Sequence, residues 1–140
     1  MAKYVGLDIG SKTIGIAISE GFIANSHSTI RFEENDFKSG AQKLKDFLEA
    51  DGFEKLIIGY PFNMNGSSGY RIEMVEEFIE NLKLFININD NNLVKIDERL
   101  TSRMAKSIMI EANLSRKKQK SSKDQLAAQL ILETFLNNNN

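Results

Sequence analysis

The 140-residue chain predicts an α/β fold: a mixed five-stranded sheet with helices on both faces. Two observations predict it. The chain opens with two apolar runs joined by Gly10-Ser11-Lys12, the pattern of an antiparallel hairpin. Its later apolar runs are short and alternate with segments of helical periodicity, the pattern of parallel strands joined by right-handed crossovers.

Each element has its own signal. Lys3 to Ile9 is apolar and strand-length, and Thr13 to Ser19 alternates Ile14, Ile16 and Ile18 with Thr13, Gly15 and Ala17. Phe22 to Phe32, with Ile23, Ile30 and Phe32, gives a weaker third strand. Asp36 to Ala50 predicts a helix with Phe37, Ala41, Leu44, Phe47 and Leu48 on one face and Gly52 past its end. Lys55 to Gly59 predicts a buried strand. Phe62 to Gly69 is a loop of Asn, Gly and Ser, and Ile72 to Phe85 predicts a second helix, with Ile72, Val75, Phe78, Ile79 and Leu82 inward. Leu93 to Glu98 predicts the fifth strand. Thr101 is placed to cap a helix to about Glu111. Asn113 to Ser121 is polar and basic, read as mobile. Ser122 is placed to cap a last helix, Lys123 to Leu136, with Leu126, Leu130 and Phe135 inward. The expected organisation is one domain over residues 1–136 and a disordered tail at 137–140.

Composition narrows the function classes. With no cysteine, no disulfide staples the fold and no thiolate binds metal. No secretory signal is visible after Met1, and no apolar run approaches the roughly 20 residues of a membrane span. A cytoplasmic protein without membrane association is expected. The formal net charge of −1 argues against a protein held on nucleic acid by bulk charge. Binding to nucleic acid would need a local basic patch and bound cations.

Three carboxylates stand out. Asp8 interrupts the apolar strand Tyr4-Val5-Gly6-Leu7-Asp8-Ile9, where a charge is expensive to desolvate unless something positive meets it. The alternative is a strand-end Asp capping the turn at Gly10. Gly6, Gly10 and Gly15 around it suggest a backbone that must come close to something. Glu98 ends the fifth strand, and open α/β sheets place ligands beyond the carboxyl ends of their strands. Asp97 points to the opposite face from Glu98, so only one of them can share a pocket with Asp8. A solvated turn paired with Arg99 is the alternative for Glu98. Asp124 falls in the first turn of the expected last helix, where the helix dipole alone would favour it. As a set, the three suit hard divalent cations, which take oxygen ligands.

Other features could contact a phosphate. The loop Asn63 to Gly69 follows a strand and opens a helix, so its amides could receive one, although it lacks the Gly-Lys-Ser/Thr of a Walker A loop. Arg71 lies just inside that helix. Arg116, Lys117, Lys118, Lys120 and Lys123 form the densest basic stretch and lead into Asp124. The single histidine, His27, receives no role, and no Ser-His-Asp set can be argued.

Four segments carry a resemblance: Gly6-Leu7-Asp8-Ile9-Gly10-Ser11-Lys12-Thr13-Ile14-Gly15-Ile16-Ala17, Ile58-Gly59-Tyr60-Pro61-Phe62-Asn63-Met64-Asn65-Gly66-Ser67, Asp97-Glu98-Arg99-Leu100-Thr101-Ser102 and Lys123-Asp124-Gln125-Leu126-Ala127-Ala128. Together they resemble the YqgF family, also called RuvX, in the family's order and over nearly the whole chain. The resemblance implies an RNase H-like fold and a nuclease whose acidic set matches Asp8, Glu98 and Asp124. It implies magnesium or manganese as cofactor. It implies precursor ribosomal RNA as substrate, trimmed at the 5′ end of the small-subunit (16S) species, with ribosomal particles as partners. Lys12, Asn63, Asn65, Gly66, Arg71, Arg99, Thr101, Arg116, Lys117 and Lys118 are the residues expected to contact substrate. Tyr60 stands where the family often has Leu and Ser102 where Thr is usual; neither is a proposed metal ligand.

The mechanism expected is hydrolysis with two metal ions, Asp8 bridging them and Glu98 and Asp124 holding one each. Three rivals remain. Branched DNA, a four-way junction cut by a homodimer, is an alternative substrate, whereas the rRNA reading leaves a monomer equally open. A non-catalytic RNA-binding assembly factor is the second. The third, an ATPase of the sugar kinase and actin group, shares the opening hairpin but needs two such domains.

Overall fold

The computed structural model describes residues 3–61, 69–97 and 116–138, with the side chains of the last segment from 124 to 137. Its elements are β1 (Tyr4–Ile9), β2 (Thr13–Glu20), β3 (Ile23–Arg31), α1 (Phe37–Asp51), β4 (Lys55–Tyr60), α2 (Gly69–Lys83), β5 (Leu93–Asp97) and α3 (Arg116–Asn138). The five strands form one sheet in the order β3-β2-β1-β4-β5. β1 and β2 pair antiparallel, as do β2 and β3. β1–β4 and β4–β5 pair parallel.

The hairpin closes because the Gly10 N–H donates to the Thr13 carbonyl at 2.8 Å. Along both strands side chains then alternate between faces. Val5, Leu7 and Ile9 of β1, Ile14 and Ile16 of β2 and Leu56 and Ile58 of β4 fall on one side. There they meet Leu44 and Leu48 of α1 and Val75, Phe78, Ile79 and Leu82 of α2 in the main core. On the other side Ala17 and Ile57 meet Ala128, Ile131, Leu132, Phe135 and Leu136 of α3. The helices therefore cover both faces, α1 and α2 on one and α3 on the other. Asp36 caps α1 by accepting the Ser39 N–H at 3.2 Å, and Gly52 ends it at φ 76°, a left-handed conformation that favours glycine.

Three expectations shift. α3 begins at Arg116, six residues before the expected cap Ser122, and ends at Asn138 rather than Leu136. Arg, Lys and Gln are good helix formers, so the basic run from Arg116 to Lys120 continues the helix backwards instead of forming a mobile segment. α2 likewise starts at Gly69. On α3 the stripe against the sheet includes Ala128, Ile131, Leu132 and Phe135, while Leu130 and the half-buried Leu126 belong to a separate small cluster with Ala127. The reason is the glycine contact described below, which fixes the helix's rotation. The expected helix from Thr101 and the terminal Asn139 and Asn140 lie outside the described residues. Among the described residues no helix is long and apolar enough to cross a membrane.

Candidate functional site

Parallel pairing brings the carboxyl ends of β1, β4 and β5 to one end of the sheet, with Tyr60 opposite Asp97. Asp8 lies in the last turn of pleat before that end and is buried, with 8% of its surface exposed. Its neighbours Leu7 and Ile9 enter the core under α1 and α2, so the pleat turns Asp8 to the α3 side. A carboxylate held there has lost most of its water, which favours a cation or hydrogen-bond donors beside it.

Glycine allows α3 to approach this carboxylate. Asp8 pairs with Gly15 across the hairpin, and Gly6 pairs with Ala17. A Cβ on Gly15 would stand 2.1 Å from the Asp124 carbonyl oxygen, and one on Gly6 would stand 2.7 Å from the Ala128 carbonyl oxygen. The main chain of α3 thus rests directly on β2 and β1 where side chains are missing. Asp124 comes to lie over Gly15, one strand spacing of about 5 Å from the strand that carries Asp8.

A polar seam fixes the same stretch of helix. The Thr13 hydroxyl donates to Asp124 Oδ2 at 2.9 Å. One position along, the Gln125 amide donates to Thr29 Oγ1 at 3.1 Å, and the Ser26 hydroxyl donates to Gln129 Oε1 at 2.7 Å. Thr29 is the β3 partner of Gly15, so Asp8, Gly15 and Thr29 form one row across three strands beneath the helix.

A second network braces the carboxyl ends of β4 and β5 from the α2 side. Lys95 Nζ lies 2.9 Å from Glu76 Oε1 and 4.6 Å from the centre of the Tyr60 ring. The Lys95 ammonium is the main reason the Glu76 carboxyl sits below the usual carboxylate range, helped by its bond from the Tyr60 hydroxyl. Burial first, then the Glu76 carboxylate, pushes the Tyr60 phenol up.

Of the residues singled out from sequence, the structure brings Asp8 and Asp124 to the same end of the sheet and the same face. Lys12 is exposed on the hairpin turn next to Thr13. Arg71 is half-buried in the first turn of α2. Arg116, Lys117 and Lys118 form the first turn of α3, about 9–12 Å along the helix from Asp124 at 1.5 Å per residue. Glu98, Arg99, Thr101, Asn63, Asn65 and Gly66 lie outside the described residues. Val94 and Ile96, which precede Glu98 by four and two positions, pack on the α3 side. Among the described residues no three His, Asp or Glu side chains gather to hold a metal. His27 rests edge-on against Phe47, ring centres 5.1 Å apart. The sequence did not single out Thr13 as a partner for Asp124, nor the Tyr60–Glu76–Lys95 network.

A family profile described as RuvX, Holliday junction resolvase, matches residues 2–138. A protein of Mesoplasma florum, by name a candidate pre-16S rRNA nuclease, is 52% identical over 137 residues, spanning 97% of this chain and 96% of its own. A protein of Oceanobacillus iheyensis with the same name is 39% identical over 136 residues, 96% of this chain and 97% of its own. Among solved structures, T. thermophilus RuvC in complex with a Holliday junction substrate superposes with a TM-score of 0.59 at 11% identity. That match covers 94% of this chain and 92% of that one. At that identity the likeness speaks for the fold, which is RNase H-like. With the family profile spanning nearly all of it, the chain belongs to the RuvX family.

Proposed function

We propose that the protein is a metal-dependent nuclease that hydrolyses nucleic-acid phosphodiester bonds, and that it trims the 5′ end of precursor 16S ribosomal RNA in the cytoplasm. The observation that carries this reading is the seating of Asp124 over Gly15, directly across the hairpin from buried Asp8. A sheet-buried aspartate and a helix aspartate at the carboxyl ends of the strands are a hard-oxygen donor pair suited to magnesium or manganese. The relatives named as pre-16S rRNA nucleases favour RNA as the substrate class.

Asp8 and Asp124 would hold the metal, with Glu98 as the third ligand. When bound, the metal supplies an activated water and a counter-charge for the leaving oxygen. The chain's own residues do the rest. Pairing with β2 fixes the backbone of Asp8, and its side chain is buried. The glycine contact and the Thr13 hydroxyl fix Asp124. Lys12 on the hairpin turn, Arg71 in the first turn of α2 and the basic residues at the start of α3 would draw in the phosphate backbone and offset the repulsion of the carboxylates. Asn63, Asn65 and Gly66, which precede α2 in the sequence, and Arg99 and Thr101, which follow β5, would complete the substrate contacts.

The test is incubation of the purified protein with precursor 16S rRNA, four-way junction DNA and single strands, with magnesium or with a chelator. Shortening of the rRNA precursor at its 5′ end, lost with chelator and lost in Asp8→Asn, is the result expected. Preferential symmetric cutting of the junction would move the reading to branched DNA. Cleavage by Asp8→Asn at the wild-type rate would remove it.

A further inference from the structure

We propose that Thr13 is a positioning residue for Asp124: its hydroxyl sets the rotamer of that carboxylate so that Oδ1 is presented toward Asp8. The inference rests on the reading of Asp124 as a metal ligand.

The contact joins residues 111 positions apart, Thr13 Oγ1 donating to Asp124 Oδ2 at 2.9 Å in a partly buried setting. Its geometry is constrained from both sides. Thr13 stands at the first position of β2, pinned by the turn bond from Gly10 N–H to its carbonyl and by its pairing with Arg31. A β-branched residue on a strand has few χ1 choices, so the hydroxyl has a defined direction. Asp124 is pinned through its main chain, which lies on Gly15 with no room for a Cβ between them. With both backbones fixed, the side-chain torsions of Asp124 are the freedom left, and the hydroxyl selects among them. One carboxylate oxygen is taken by a neutral donor, which leaves the negative charge available to a cation.

A purely structural role would look different. The neighbouring bond from Gln125 to Thr29 Oγ1, 3.1 Å, ties the same turn of α3 to β3 without touching a carboxylate. It is the control. Outer-sphere partners of metal-ligating groups typically change metal affinity or activity by about 10–100-fold when removed, whereas a seam bond changes stability alone.

The experiment measures manganese binding by calorimetry and the magnesium concentration for half-maximal cleavage in Thr13→Val, Thr13→Ser, Thr29→Val and Asp124→Asn, with melting temperatures alongside. Thr13→Val should weaken manganese binding and raise the half-saturating magnesium about tenfold, with a smaller change in KM for nucleic acid. Thr13→Ser should restore both. Thr29→Val should lower the melting temperature as much as Thr13→Val and leave metal binding unchanged. Wild-type metal binding in Thr13→Val together with loss of binding in Asp124→Asn would overturn the role of Thr13 alone. Wild-type binding in Asp124→Asn would overturn the ligand reading and this inference with it. Equal metal weakening in Thr29→Val would show that the helix seam, not the hydroxyl, is responsible, and would also overturn it.

Discussion

Gly15→Ala is the perturbation that reaches furthest into the structure for a single methyl group. The added carbon would stand 2.1 Å from the carbonyl oxygen of Asp124, 2.4 Å from its carbonyl carbon and 2.9 Å from its Cβ. Ordinary contact begins near 3.4 Å, so α3 must retreat from β2 by more than about 1 Å at this point. The obstruction is backbone, which cannot rotate aside. Overpacking of this kind costs about 2 kcal/mol, on the order of 8 °C in melting temperature for a domain of this size. The larger effect is on the site, because the retreat carries Asp124 away from Asp8. A displacement of about 1 Å in a catalytic group lowers rate by about 100-fold. Gly6→Ala is the comparison. Its methyl would meet the Ala128 carbonyl oxygen at 2.7 Å and Leu132 Cβ at 2.9 Å, one turn and more down the helix from Asp124. It should cost comparable stability and less activity. The assay is magnesium-dependent cleavage of precursor rRNA beside thermal melting of both variants. Wild-type melting and activity in Gly15→Ala, or a greater loss of activity in Gly6→Ala, would show that the contact of α3 with Gly15 does not hold Asp124 in place.

Two further outcomes follow from the packing and the charges. Phe78 of α2 is fully buried in the main core, edge-on to Phe37 of α1 at 6.5 Å, so Phe78→Ala should cost about 3–5 kcal/mol in denaturant unfolding. Glu76 has a lowered pKa in the folded protein, chiefly through the Lys95 ammonium. A lowered carboxylate contributes stability above its unfolded value and loses it as pH falls through the folded value. Wild type should therefore exceed Glu76→Gln in stability at pH 7, and the gap should close as pH drops well below 4.5. With both partners more than a third exposed, solvent screening holds the gap to about 0.5 kcal/mol, and added salt should shrink it.

The sheet and its faces were legible because period-two alternation survives in the strands: Ile14 and Ile16 enter one core, Gly15 and Ala17 face the other. The anomaly of Asp8 was legible for the same reason, since only a charge in an apolar run breaks the pattern. The glycines at 6 and 15 announced a close approach, but not what approached, because a missing side chain records space and not its occupant. α3 starts at Arg116, whereas the sequence predicts Ser122 as its cap. A capping residue is a local signal, and the helix-forming Arg, Lys and Gln before it outweigh it. Of the three α3 residues expected inward, Phe135 packs on the sheet and Leu130 is buried with Ala127, while Leu126 is half-buried beside that pair. Hydrophobic spacing alone left the rotation of the helix open, and the contact of Asp124 with Gly15 sets it. The bond from Thr13 to Asp124 spans 111 positions, and no local pattern carries that.

On the proposed reading, Asp8 and Asp124 act on one divalent cation. Manganese binding to the full-length protein, followed by electron paramagnetic resonance in wild type, Asp8→Asn and Asp124→Asn, tests it without a substrate. Both variants should remain folded and should each lose the tight manganese signal. Retention of wild-type affinity and stoichiometry in either variant would show that the altered carboxylate is not a ligand.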